Sequence, residues 1–177
     1  MDILFEIVKL PWLGAKVIVK IIAISGMLLP SAVHFTQPVV GVQQNQVVLQ
    51  ASVANACTPR IKDLLVNATP VVVEFSIFAD GFSKTVRREY SYDPISRAGC
   101  IVSSEDGVVE TFADTARIDS VFASLRCVLF CASEIGRFQG QKLTVRAVAY
   151  VGQQMVDIEP GNLWPDEPSL VLTLKFK

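Results

Sequence analysis

Cys57, Cys100, Cys127 and Cys131 are the residues of this 177-residue chain whose type could most readily do chemistry. Four thiols can bridge, ligate metal or attack an electrophile, and an exported context favours bridging. No C-x-x-C pair is present. The spacing therefore reads first as small buried apolar residues, with one or more disulfides as the alternative. The single histidine, His34, lies at the edge of an apolar N-terminal segment. A Ser-His-Asp or Cys-His device needs an imidazole held in a packed site, and mixed His-Cys zinc sites need one too. Neither a G-x-x-x-x-G-K-[ST] nor a G-x-G-x-x-G stretch occurs. Arg87 and Arg88 beside Tyr90 and Tyr92 suggest a basic-aromatic ligand patch. The plainer reading is a strand face with one Arg paired to an acid. The loop "DIEPGNLWPDEP" gathers four acids around Trp164. It could hold calcium weakly through carboxylates and carbonyls, although EF-hand spacing is missing. Trp164 itself either packs back on a sheet or faces a partner.

The elements that must position these residues follow from periodicity. Val47, Leu49, Ala51 and Val53 alternate on one strand face. Thr58 and Pro59 suit the cap and first position of a short helix that ends before Pro70, with Ile61, Leu64, Leu65 and Ala68 on one side. Residues 71–79 read as a strand, Asp80-Gly81 as a hairpin turn, and "SKTVRREYSY" as the partner strand. A second hairpin follows around "EDG". The stretch "ADTARIDSVFASLRCVLFCASEIG" has the strongest helical pattern, with Asp114 or Thr115 as cap and Gly136 as stop. Ile118, Phe122, Leu125 and Leu129 line one side of it. Cys127 and Cys131 project together on the other, beside Ala123 and Phe130, so the helix is apolar almost all round and must be covered twice. Either the chain covers that second face near Cys57 or Cys100, or a partner does. A bridge would require Cα atoms within about 7 Å. Two further strands, "KLTVRAVAYV" and "SLVLTLKFK", complete the chain. The expected class is α+β, a mainly antiparallel sheet or β-sandwich of six to seven strands with two helices, preceded by an N-terminal hydrophobic helix.

Ile21 to Val33 carries no charge and follows Lys9, Lys16 and Lys20. Its length suits a signal-peptide core, and the preceding lysines suit the cytoplasmic side. With Lys20 reaching the interface, Val17 to Phe35 could instead span as an uncleaved anchor. The expected organisation is therefore a signal peptide or membrane anchor at 1–33, a Gln-rich linker at 34–46, and one exported domain at 47–177. The whole chain holds 16 basic and 17 acidic residues. Removing the three lysines, Asp2 and Glu6 of the first 33 residues leaves 13 and 15. A domain without basic excess offers no electrostatic footprint for nucleic acid.

The segments "VVLQASVANACTPRIKDLLVNATPVVVEFSIF", "REYSYDPISRAGCIV", "FADTARIDSVFASL" and "LTVRAVAYVG" resemble a family of short bacterial proteins, domain of unknown function 4390. The resemblance spans most of residues 45–170. It implies an exported or membrane-anchored envelope protein and carries no catalytic residue, cofactor or metal. The expected role is a non-enzymatic domain that binds an envelope protein or supports an assembly, with the membrane met through the N-terminal segment. Its candidate contact or disulfide residues are Cys57, Cys100, Cys127, Phe130 and Cys131, with Trp164 as a second contact. The alternatives are a carrier of an apolar or lipid ligand and an enzyme using carboxylate or Arg chemistry.

Overall fold

The computed structural model describes residues 32–105, 107, 109–112, 118–152 and 161–176. Nine strands occur among them: β1 (His34–Gln43), β2 (Gln46–Ala54), β3 (Val71–Ala79), β4 (Phe82–Asp93), β5 (Ala98–Ser103), β6 (Val109–Phe112), β7 (Ser124–Cys131), β8 (Lys142–Val151) and β9 (Ser169–Thr173). Three short helices accompany them: α1 (Pro59–Val66), α2 (Ile118–Val121) and α3 (Ile135–Phe138). The chain is α+β and mostly antiparallel. The strands form a six-stranded sheet in the order β6-β5-β4-β3-β8-β9 and a three-stranded sheet in the order β1-β2-β7. Every pairing is antiparallel.

The two sheets bury one face each against a shared core. Val71, Val73, Phe75 and Ile77 of β3, Val86 and Tyr90 of β4, and Leu143, Val145, Ala147 and Ala149 of β8 supply the large sheet's inner face. Val47, Leu49 and Val53 of β2 meet them with Leu125, Cys127 and Leu129 of β7. Period-two alternation makes this burial cheap, because each strand shows one apolar side and one wet side. Aromatic pairs close the gap between sheets, with Phe35 against Phe75 at 6.4 Å and Tyr90 against Phe122 at 4.5 Å. The expected cap of α1 is present: the Thr58 hydroxyl accepts from the Ile61 N–H, and Pro59 takes the first turn.

Two expectations fail. Residues 34–46 are not a linker: His34–Gln43 is an edge strand paired with β2 on both sides of a bulge. Pro38 and a register shift between Thr36 and Val39 break the alternation that would have marked it. Proline is tolerated there because an edge strand or bulge needs no donor at that point. The long second helix is also absent. Between Ile118 and Cys131 only Ile118–Val121 is helical, and Ser124–Cys131 is strand β7. Ala123 adopts a left-handed φ of 55°, which ends any helix after Phe122. A short apolar run has no periodicity that separates a buried strand from a buried helix. Here the exposed edge of β2 supplies a pairing partner, and seven of the eight residues of β7 pair with it. The proposed caps Asp114 and Thr115 lie outside the described residues, as does residues 1–31, where the N-terminal hydrophobic helix was expected. No helix among the described residues is long and apolar enough to cross a membrane.

Candidate functional site

The strand character of β7 redistributes the predicted site residues. Val47 pairs with Phe130 and Val48 with Val128, so Leu129 is an extra residue in a bulge. The bulge turns both Leu129 and Phe130 inward and Cys131 outward. Cys127 faces the core between Leu125 and Leu129, while Cys131 is exposed. The two thiols therefore do not share a face. Phe130 is covered by the chain itself: it stacks on Phe138 at 4.2 Å and meets Phe82 and Phe176 edge-on. The contact surface expected from a helix bearing Cys127, Phe130 and Cys131 does not exist, because these residues belong to the core or to a strand end.

All four cysteines are free, so the bridge held open as an alternative is not formed. Cys57 is half-buried ahead of α1, and Cys100 is half-buried on β5 of the large sheet. Burial pushes the Cys57 thiol up to about 12, with the Asp119 carboxylate adding to it and Lys62 opposing. Burial also pushes Cys127 up to about 12, aided by Glu105. Both thiols are protonated at neutral pH and are poor nucleophiles. Trp164 is 2% exposed and donates its Nε1–H to the Ala56 carbonyl at 2.7 Å. It anchors a loop to the start of α1 and is not a contact residue. Of the acids around it, Asp157 and Glu159 lie outside the described residues.

The arginine pair splits across the sheet, as alternation requires. Arg88 points inward, is 7% exposed, and donates to the Ser124 carbonyl and hydroxyl at 2.7 Å each. Its other nitrogen reaches Glu110 on β6 at 3.0 Å. Lys84, two turns of the pleat earlier, donates to the Val128 carbonyl at 2.7 Å and pairs with Glu105 at 2.6 Å. Glu105 in turn accepts from the Val128 N–H at 2.9 Å. Lys84, Arg88 and Glu105 thus satisfy backbone groups along the outer edge of β7, where a fourth strand would otherwise pair. This clasp was not legible in the sequence. Lys84 and Glu105 are 21 residues apart, and only the β4–β5 pairing brings them together.

Arg87 points to the other side of the sheet, where one broad face is open to solvent. There Arg87 lies over the Tyr150 ring at 5.8 Å and pairs with Glu74 at 3.6 Å, while Tyr150 donates to Glu74 at 3.1 Å. Arg146 lies over the Phe78 ring at 5.5 Å. Phe78, Val102 and Val171 add exposed apolar area on β3, β5 and β9. Guanidinium-aromatic pairs on a flat sheet can bind protein surface through stacking and bidentate hydrogen bonds, since Arg, Tyr and Phe are enriched in such interfaces. Comparison of the chain with family models, with curated proteins and with solved structures finds no match.

Proposed function

We propose that the chain is an exported or membrane-tethered protein of the bacterial envelope, as its resemblance to domain of unknown function 4390 implies, and that its domain binds protein or supports an assembly without catalysis. The observation that carries this reading is the open outer face of the six-stranded sheet, with Arg87, Tyr150, Glu74, Arg146 and Phe78 paired across it. The inward-facing charges support it from the other side. Lys84, Arg88 and Glu105 are committed to the edge of β7, which leaves them unavailable for proton transfer or substrate binding. The interior between the sheets is occupied by Phe75, Tyr90, Phe122, Phe130 and Phe138, which weighs against a carrier of apolar ligands.

The test is site-specific crosslinking in cells. A photoreactive residue at Phe78 is expected to give one discrete protein adduct, and the same probe at Asn45 none. R87E with R146E should remove the adduct while leaving the thermal midpoint within a few degrees. A chain that yields no adduct from Phe78, Val102 or Val171 and purifies as a monomer would overturn the reading.

A further inference from the structure

The uncharged run from Ile21 to Val33 ends where β1 begins, at His34. A 13-residue extended linker would have let the domain range about 40 Å from whatever holds that run. The strand leaves no such reach. The chain is tied down even before β1: the Ala32 carbonyl accepts from His34 Nδ1 at 2.8 Å and from Asn55 Nδ2 at 3.0 Å, and Val33 packs against the core. Ala32, the point of exit toward the N-terminal segment, therefore lies beside the turn that joins β2 to α1.

That exit shares an end of the domain with the β4–β5 turn. His34 pairs with Ala54 at the close of β2. Val53 donates to the Ala123 carbonyl at 3.2 Å, and the Ala123 N–H donates to Tyr90 Oη at 2.9 Å. Tyr90 pairs with Val71 at the start of β3. β4 runs on past Tyr90 to Asp93, three residues beyond its pairing with β3, and turns there into β5. At the turn sits Ile95, 93% exposed, the most exposed large apolar side chain among the described residues. The turn is closed on itself: Asp93 accepts from the Ile95 N–H at 2.9 Å and from the Ser96 hydroxyl at 2.7 Å. Two of the turn's donors are thereby satisfied locally, which lessens their penalty on entering a region of low dielectric. Val66 at the end of α1 and Val151 at the end of β8 are exposed at the same end.

We propose that this end rests on a lipid bilayer, with Ile95 set into the interface and Val66 beside it. The proposal rests on the tethered form of the reading above and adds which surface faces the membrane. Among the described residues of this end, Lys62 pairs with Asp119 at 2.8 Å, and Arg60 and Arg97 are equalled in number by Asp63 and Asp93. The contact is therefore driven by apolar burial and holds on neutral lipid. It also turns the far end, with the β1–β2 turn at Gln44 and Asn45, away from the bilayer.

The experiment uses the full chain in phosphatidylcholine vesicles, with a photoreactive phenylalanine analogue at Ile95, Val66 or Asn45. Lipid adducts are expected several-fold more often from positions 95 and 66 than from 45. I95D should lower the adduct yield from position 66 several-fold, with an unchanged thermal midpoint. A chain that floats with the vesicles and labels equally from 95 and 45 overturns the contact and leaves the tether standing. A chain that does not float overturns both.

Discussion

Y90F changes one atom in the core, and its consequence reverses with pH. Tyr90 is fully buried, with its ring 4.5 Å from that of Phe122, and phenylalanine keeps that packing. What is lost is the acceptor for the Ala123 N–H at 2.9 Å. A buried backbone donor left without a partner costs about 1–3 kcal/mol, less the penalty no longer incurred by burying the hydroxyl. A net loss of roughly 1–2 kcal/mol at neutral pH would lower the thermal midpoint by roughly 2–8 °C in a domain of this size. Burial, opposed by Arg88 and by the Ala123 hydrogen bond, pushes the Tyr90 phenol from 10.0 up to about 12. A raised folded-state pKa contributes stability that is complete below pH 10 and is lost as pH rises through 12. Over that window the wild type should lose on the order of 2–3 kcal/mol through Tyr90, which the variant cannot lose. The stability curves, measured by urea unfolding with far-UV circular dichroism between pH 7 and 12, should therefore converge and cross near pH 11. Cys57 and Cys127 also titrate late but act equally in both proteins. Parallel curves across the whole range would refute the buried, hydrogen-bonded placement of Tyr90.

F130A should destabilise by about 3–5 kcal/mol, as for other buried aromatics, because Phe138, Phe82 and Phe176 surround the ring. A change below about 0.5 kcal/mol in urea unfolding would place the side chain on the surface instead. K84M should cost about 1–3 kcal/mol by stripping the Val128 carbonyl and Glu105 of their donor. The K84M/E105Q pair should cost less than the sum of the single variants, and strict additivity would dismantle the clasp. A water-soluble thiol reagent at pH 7 should modify Cys131 first and Cys127 only on unfolding. Mass spectrometry that finds Cys127 labelled in the folded protein would contradict its place in the core.

Several elements were legible because one face of each is wet and the other dry. β4 and β8 show clean alternation and β3 alternates from Val73 on, the Asp80-Gly81 turn joins β3 to β4, and Thr58-Pro59 caps α1. β7 reads as helix in the sequence because Cys127, Val128, Leu129 and Phe130 are apolar at successive positions, which erases the difference between periods of 2 and 3.6. β1 was missed because Pro38 and the register shift after Thr36 interrupt its pattern. The candidate contact residues failed with the helix that carried them. Arg87, Tyr150, Arg146 and Phe78, which make the open face, lie on three strands and are neighbours only through sheet register.

Composition and local pattern alone determined that this chain builds a largely antiparallel α+β domain behind an uncharged N-terminal run, because solvent and core select residue types locally. Tertiary structure decided which strand pairs with which, whether an apolar stretch becomes helix or strand, and where each charge points. Those outcomes depend on partners distant in the chain: the edge of β2 converts Ser124–Cys131 to strand, and Lys84 and Glu105 meet only across the β4–β5 hairpin.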